Sequence, residues 1–153
     1  MRDIHGYTAK VTIDAKNDMV FKHIGKGRYK GYSKEFIKEL IDREVFWLKK
    51  LAHLKFVPRL YAYDEKHIMM SYCGEVVKEK QKDYYEQLNK IKTLLLQNHC
   101  YYNDWKPDNL LIKKGNLYLI DYGWASLIKE DMSCGGIVKT KLKCKPVKNN
   151  FKL

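Results

Sequence analysis

Between residues 104 and 121 the chain holds a carboxylate (Asp104), a cation (Lys106), an amide (Asn109) and a second carboxylate (Asp121). The sequence between the last two reads as a hairpin: strand 110–113, turn Lys114-Gly115-Asn116, strand 117–120. A turn centred on Gly115 pairs Leu110 with Ile120 and sets Asn109 opposite Asp121. Opposed residues in an antiparallel pair have Cα atoms roughly 4.5–5.5 Å apart. An amide oxygen and a carboxylate would then converge at the open end of the hairpin, two hard ligands with room for water, which suits Mg²⁺. Each residue alone has a structural reading. Asp104 can cap a turn, Asn109 can end a strand, and Asp121 before Gly123 can sit in a turn. Their ordered occurrence is what points to chemistry.

A second pair lies upstream. Ile37, Leu40, Ile41, Leu48 and Leu51 recur at helical spacing and predict a helix over 34–54, capped by Ser33 and stopped before Pro58. Glu44 falls inside this apolar stripe, four residues from both Leu40 and Leu48. A carboxylate on a core-facing stripe is costly unless paired. Lys22, closing the otherwise apolar run Met19-Val20-Phe21, is the natural cation.

These residues need elements to carry them. Strands are expected over 11–14 and 18–24, a turn region over 25–31, and strands over 60–63 and 67–70. Gly74 breaks the pattern. Leu88, Ile91, Leu94 and Leu95 predict a second amphipathic helix over roughly 81–99, followed by a loop over 100–109. The class is α+β, with Gly74 as a candidate divide between two lobes.

Composition bounds the alternatives. The 153 residues are 45% hydrophobic and 31% charged, enough for a core and against global disorder. No apolar run reaches bilayer length, and residues 1–10 have no apolar stretch of the kind a signal peptide needs. Net charge is +12, half of it from six lysines in the acid-free stretch 132–153. Such a tail favours polyanions, nucleic acid among them, or serves as a solvated end. Cysteines 73, 100, 134 and 144 have neither zinc-site nor disulfide-framework spacing. Free thiols in a reducing intracellular compartment, cytoplasm or nucleus, are the simplest account.

In order and spacing, the set resembles a reduced protein kinase over roughly residues 4–123. Asp104-Trp105-Lys106-Pro107-Asp108-Asn109 resembles the catalytic loop D-x-K-P-x-N, and Asp121-Tyr122-Gly123 resembles D-F-G. Met19-Val20-Phe21-Lys22 resembles V-A-I-K, with Glu44 matching the helix glutamate that pairs with that lysine. The resemblance implies ATP and Mg²⁺ as cofactors and transfer to Ser or Thr hydroxyls of a protein substrate. Lys22, positioned by Glu44, would hold the α- and β-phosphates. Asp104 would take or orient the proton of the attacking hydroxyl, Lys106 would neutralise the γ-phosphate, and Asn109 and Asp121 would hold the metal. Met70 aligns with the gatekeeper, and Ser71 to Cys73 with the hinge that meets adenine. The implied fold is a reduced bilobal one: a small β-rich N-lobe with one long helix (about 1–73), a truncated helical C-lobe with a β-hairpin (about 74–131), and the basic tail 132–153.

The departures are equally specific. Of the glycine-rich loop, Ile4-His5-Gly6-Tyr7-Thr8-Ala9-Lys10-Val11 keeps Gly6 and Val11 but has Ile4 and Ala9 where glycines belong. With three residues ahead of it, the first strand is expected to be nearly absent, and backbone contact with phosphate weakened. Tyr102-Asn103-Asp104 replaces H-R-D, which removes the arginine used for control by a phosphorylated activation loop. No A-P-E follows, and 30 residues after Gly123 leave no room for the usual buttressing helices; Trp105, Tyr101 and Tyr102 are candidates to fill that space. A homodimer or complex covering the reduced C-lobe would be consistent with this. The alternative to an active kinase is a catalytically weak or inactive kinase-like module that binds a partner or polyanion through its basic surface.

Overall fold

The computed structural model describes residues 1–127; the basic stretch 132–153, Cys134 and Cys144 lie outside them. A five-stranded antiparallel sheet comprises β1 (Arg2–His5), β2 (Ala9–Asp14), β3 (Met19–Ile24), β4 (Leu60–Tyr63) and β5 (His67–Met70), in the order β1-β2-β3-β5-β4. Helix α1 (Lys34–Lys50) connects β3 to β4 and touches β3, β4 and β5. A three-stranded sheet, β6 (Glu75–Val76), β8 (Leu110–Lys113) and β9 (Asn116–Leu119), lies beside α2 (Tyr84–Gln97). Beside α2, β7 (Cys100–Tyr101) pairs with β10 (Ser126–Leu127).

Local chemistry explains the joints. The Asp14 carboxylate accepts from the Asn17 N–H at 3.3 Å, and Asp18 closes the β2–β3 turn in the left-handed region at φ 54°. The Ser33 hydroxyl accepts from the Phe36 N–H at 3.1 Å and starts α1. Leu40, Ile41, Leu48 and Leu51 are buried, as the stripe requires, and so are Val45 and Trp47. Ile68 and Met70 face them from the sheet, while Leu88, Ile91 and Leu95 of α2 join Leu110, Leu117 and Leu119 in the same core.

Several expectations need correction. β1 is present: all four of its residues pair with β2, because the Gly6 N–H donates to the Ala9 carbonyl at 2.9 Å and folds the chain back. α1 ends at Lys50 rather than 54, its continuation broken into tight turns that carry the chain to Pro58. The β8–β9 register differs by one residue. Leu110 pairs with Leu119 and Lys113 with Asn116, so the turn is Lys114-Gly115. Both turn residues have positive φ, 50° and 80°, the two-residue geometry whose twist matches the strands. Asn109 therefore does not face Asp121: its carbonyl accepts from the Ile120 N–H at 3.0 Å. The short strands β6, β7 and β10 were not foreseen; two-residue pairings carry no readable alternation.

No helix among the described residues is long and apolar enough to cross a membrane. Gly74 links the two sheets at φ +99°, and a Cβ there would lie 2.0 Å from the Ile112 carbonyl oxygen. Gly74→Ala is expected to cost on the order of 2–3 kcal/mol, from backbone strain and forced separation of β8. The corresponding fall of about 5–10 °C in Tm is measurable by circular dichroism.

Candidate active site

Lys22 sits on the central strand β3, between Val11 of β2 and Ile68 of β5. It is 8% exposed. Its Nζ donates to Glu44 Oε2 at 2.8 Å and Oε1 at 3.1 Å, and to Asp121 Oδ1 at 3.0 Å. Burial works against the ammonium, but the two carboxylates outweigh it and hold Lys22 charged, above its ordinary range. Burial likewise opposes ionisation of Asp121, and Lys22 prevails, holding that carboxyl below its ordinary value. Glu44, 2% exposed, is pushed upward by burial and drawn back by Lys22.

Asp121 reaches this cluster because the strand stops. β9 ends at Leu119, and Asp121 takes φ 67°, which turns the chain out of the ladder. The next residues are fastened to α1. Arg43 Nη1 donates to the Gly123 carbonyl at 3.0 Å and Trp47 Nε1 to the Ala125 carbonyl at 3.1 Å, both side chains fully buried. The helix that carries Glu44 thus also fixes the backbone that carries Asp121. Sequence reasoning missed Arg43 and Trp47. Their available signal was the four-residue spacing, which sets both on one edge of the apolar stripe.

Asp104 forms the second part of the site. It is 5% exposed. Its Oδ2 accepts from Asn109 Nδ2 at 2.9 Å, and its backbone carbonyl accepts from the same nitrogen at 3.0 Å. Lys106 Nζ stands 4.0 Å from Asp104 Oδ1. Burial, then repulsion from Asp121, pushes the Asp104 carboxyl up to about 7. Asn103 precedes it at φ 66°, and its amide donates to Ser126 Oγ at 2.8 Å and to the Trp124 carbonyl at 3.0 Å. Tyr102 is buried, donates to the Ile120 carbonyl and meets the rings of Trp105 and Tyr122. Loop 101–104 is thereby stitched to the segment 120–126.

The remaining candidates lie around the sheet. Gly6 is in the β1–β2 loop. Val11 stands opposite Lys22. Met70 ends β5, buried, and pairs with Val20 and Leu60. In the stretch 71–73 much of the backbone is engaged. The Ser71 N–H donates to the Arg59 carbonyl and the Tyr72 N–H to Asp18 Oδ1, while the Tyr72 carbonyl accepts from Lys113 Nζ at 2.8 Å. The Ser71 carbonyl faces the buried Cys73 thiol at 3.7 Å, a weak partner. Burial pushes that thiol up to about 11.

Among the described residues no group of three or more His, Cys, Asp or Glu side chains could hold a metal. One amide oxygen and one carboxylate remain. Asn109 commits its nitrogen to Asp104, and its side chain also meets the Tyr102 hydroxyl, while Asp121 Oδ1 accepts from Lys22. Two oxygen donors are too few for a protein-only site; Mg²⁺ is the ion that keeps waters and takes phosphate oxygens as further ligands.

No protein-family model matches the chain. Its structure is similar to that of the Rio2 kinase from Chaetomium thermophilum, solved with ADP, Mg²⁺ and phosphoaspartate, at a TM-score of 0.66 and 17% identity over 84% of this chain and 48% of that one. It is also similar to monomeric WbdD, at a TM-score of 0.64 and 16% identity over 79% of this chain and 33% of that one. The chain thus spans about half the length of the first and a third of the second. At this identity the likeness establishes a small α+β, kinase-like fold.

The Asp104 carboxyl gives the site a pH signature. Its folded value, about 7, lies above the ordinary 3.8, so the folded state holds the proton more tightly than the unfolded chain between those values. Its contribution to stability therefore falls as pH rises from about 4 to about 7. In metal-free buffer, Asp104→Asn is expected to raise Tm, by more at pH 8 than at pH 5. Thermal melts at the two pH values test this, and an equal shift at both would contradict it.

Proposed function

We propose that this chain is a minimal phosphotransferase that moves the γ-phosphoryl group of Mg²⁺-ATP to Ser or Thr hydroxyls of a protein. The observation that supports it best is the assembled cluster Lys22–Glu44–Asp121 beside the pair Asp104–Asn109. Lys22 binds the α- and β-phosphates, held in place by Glu44. Asn109 and Asp121 are the residues that would hold Mg²⁺, which neutralises charge on the phosphate oxygens when bound. Asp104, close to neutral pH in its titration, orients the hydroxyl and accepts its proton. Lys106 lies beside Asp104 and offsets charge on the transferred group. Little covalent chemistry is asked of the protein; positioning and charge do most of the work. Residues about 1–73 act as the small lobe and 74–131 as the reduced large lobe, jointed at Gly74. The free, buried thiols of Cys73 and Cys100 suit a reducing compartment.

Transfer from γ-labelled ATP with Mg²⁺, to the chain itself and to mixed acidic and basic proteins, tests the proposal. Labelled phosphoserine or phosphothreonine is expected. Asp104→Asn should reduce the rate on the order of 10²–10⁴-fold, and Asp121→Asn should abolish Mg²⁺-dependent transfer. The Rio2 complex contains phosphoaspartate, so label on the chain is to be treated with hydroxylamine, which releases acyl phosphate and leaves phosphoserine. Absence of transfer, or transfer unchanged in both variants, would overturn the proposal. Mg²⁺-ATP raising Tm without transfer would instead favour a nucleotide-binding module.

Lys22→Met is expected to abolish nucleotide binding but also to lower Tm, since it strands the buried Glu44 carboxylate. Adding Glu44→Gln should recover part of that loss. Calorimetric titration with ATP and melts of the single and double variants measure the two effects separately.

A further inference from the structure

The segment between β3 and α1 carries features that phosphoryl transfer does not use. Residues 25–34 contain Lys26, Arg28, Lys30 and Lys34 and no acidic residue. Lys26, Arg28 and Lys30 are exposed. Among them Tyr29 is 43% exposed and stacks on Tyr7 of the β1–β2 loop, itself 58% exposed, with ring centroids 5.4 Å apart and planes at 17°. Large aromatic rings left in water beside a row of cations form an unusual surface patch.

The patch is built on a fixed backbone. The Gly25 N–H donates to the Thr8 carbonyl at 2.8 Å, the Arg28 N–H to the Gly6 carbonyl at 2.8 Å, and the Tyr29 N–H to the Tyr7 carbonyl at 3.1 Å. Gly27 is buried in this seam, and a Cβ there would lie 2.5 Å from the Tyr7 carbonyl oxygen. Behind the stacked pair, Tyr32 packs edge-on against Tyr29 at 4.8 Å and continues to Phe36 at 5.0 Å. The inner side of the aromatic pair is therefore filled from the core, and Tyr7 keeps the most exposed ring. Cations and rings held in place lose little entropy on binding.

We infer that Tyr7 and Tyr29, with Lys26, Arg28 and Lys30, form a binding surface for single-stranded nucleic acid. Bases stack on the tyrosine pair while phosphates meet the flanking cations. This combination serves strands whose bases are unpaired, because every base offers a π-face and the backbone supplies regular negative charge. An acidic peptide or an anionic lipid surface would use the cations and leave the stack idle. The surface adjoins the loop that carries Gly6 but includes none of Lys22, Glu44 and Asp121, and its test by binding does not require phosphate transfer.

Anisotropy of a fluorescein-labelled uridine oligonucleotide, titrated with the full chain at several salt concentrations, tests the inference. The double variant Tyr7→Ala, Tyr29→Ala leaves net charge unchanged. It is expected to weaken binding about 5- to 150-fold, the range for losing one stacked base, with the salt slope preserved. Replacing Lys26, Arg28 and Lys30 together by Ala should reduce that slope by about 2. Wild-type affinity in the tyrosine variant, or equal displacement of the oligonucleotide by a non-stacking polyanion such as heparin or by anionic vesicles in both proteins, would overturn the inference. A second measurement needs no variant: photocrosslinking of a 5-iodouridine oligonucleotide to the wild-type chain, followed by peptide mapping. Crosslinks at Tyr7 or Tyr29 are expected; crosslinks confined to 132–153 would assign binding to the basic tail instead.

Discussion

An ammonium group removed from water must find negative charge close by or give up its proton. Lys22 finds it twice, in Glu44 from α1, 22 residues away, and in Asp121, 99 residues away. That one requirement fixes how three distant pieces of chain meet. β3 must run under α1 with Lys22 facing the helix, and the chain leaving β9 must come back to the same point. Arg43 and Trp47 make the second condition rigid by bonding the carbonyls that follow Asp121. The cluster is thus held by contacts among the described residues.

The site combines left-handed backbone with buried charge. Asn103 and Asp121 hold left-handed backbone without being glycine, and Asp104 is a carboxylate with little access to water. Elsewhere the chain obeys ordinary rules: apolar stripes face inward, Ser33 caps α1, and a two-residue turn with positive φ joins β8 to β9. The other non-glycine residues with positive φ, Asp18, His99 and Lys114, sit at turns and a helix end, whereas Asn103 and Asp121 flank buried carboxylate chemistry. Hydrogen bonds from Tyr102 and Asn103 to the 120–126 segment hold these residues in position.

Positive charge is divided by task. Lys22 is buried and paired, whereas Lys26, Arg28 and Lys30 line an exposed loop over the β1–β2 turn. Buried charge in a low-dielectric setting acts strongly over short range, while exposed charge attracts polyanions and is screened by salt. The two sets of cations therefore suit the two roles proposed above, the buried one for phosphates and the exposed one for a large polyanion.

How much was legible in advance depends on the range of the interaction. Glu44 could be read from the sequence because it interrupts a helical apolar stripe, and period and propensity are local properties. Strands β2 to β5, β8 and β9, both helices and the motif order of residues 104, 106, 109 and 121 were legible for the same reason. The hairpin register was not. Whether Gly115 centres a three-residue turn or ends a two-residue one depends on backbone φ at Lys114, and one residue of slip changes every facing pair. Arg43 and Trp47 were also hidden, because their partners are backbone carbonyls, and a carbonyl has no residue type to recognise. Residue types determined which groups could carry the chemistry. Only tertiary structure decided that Lys22 would serve two carboxylates at once, because the second comes from a chain reversal that begins where β9 ends and closes against a helix far behind it.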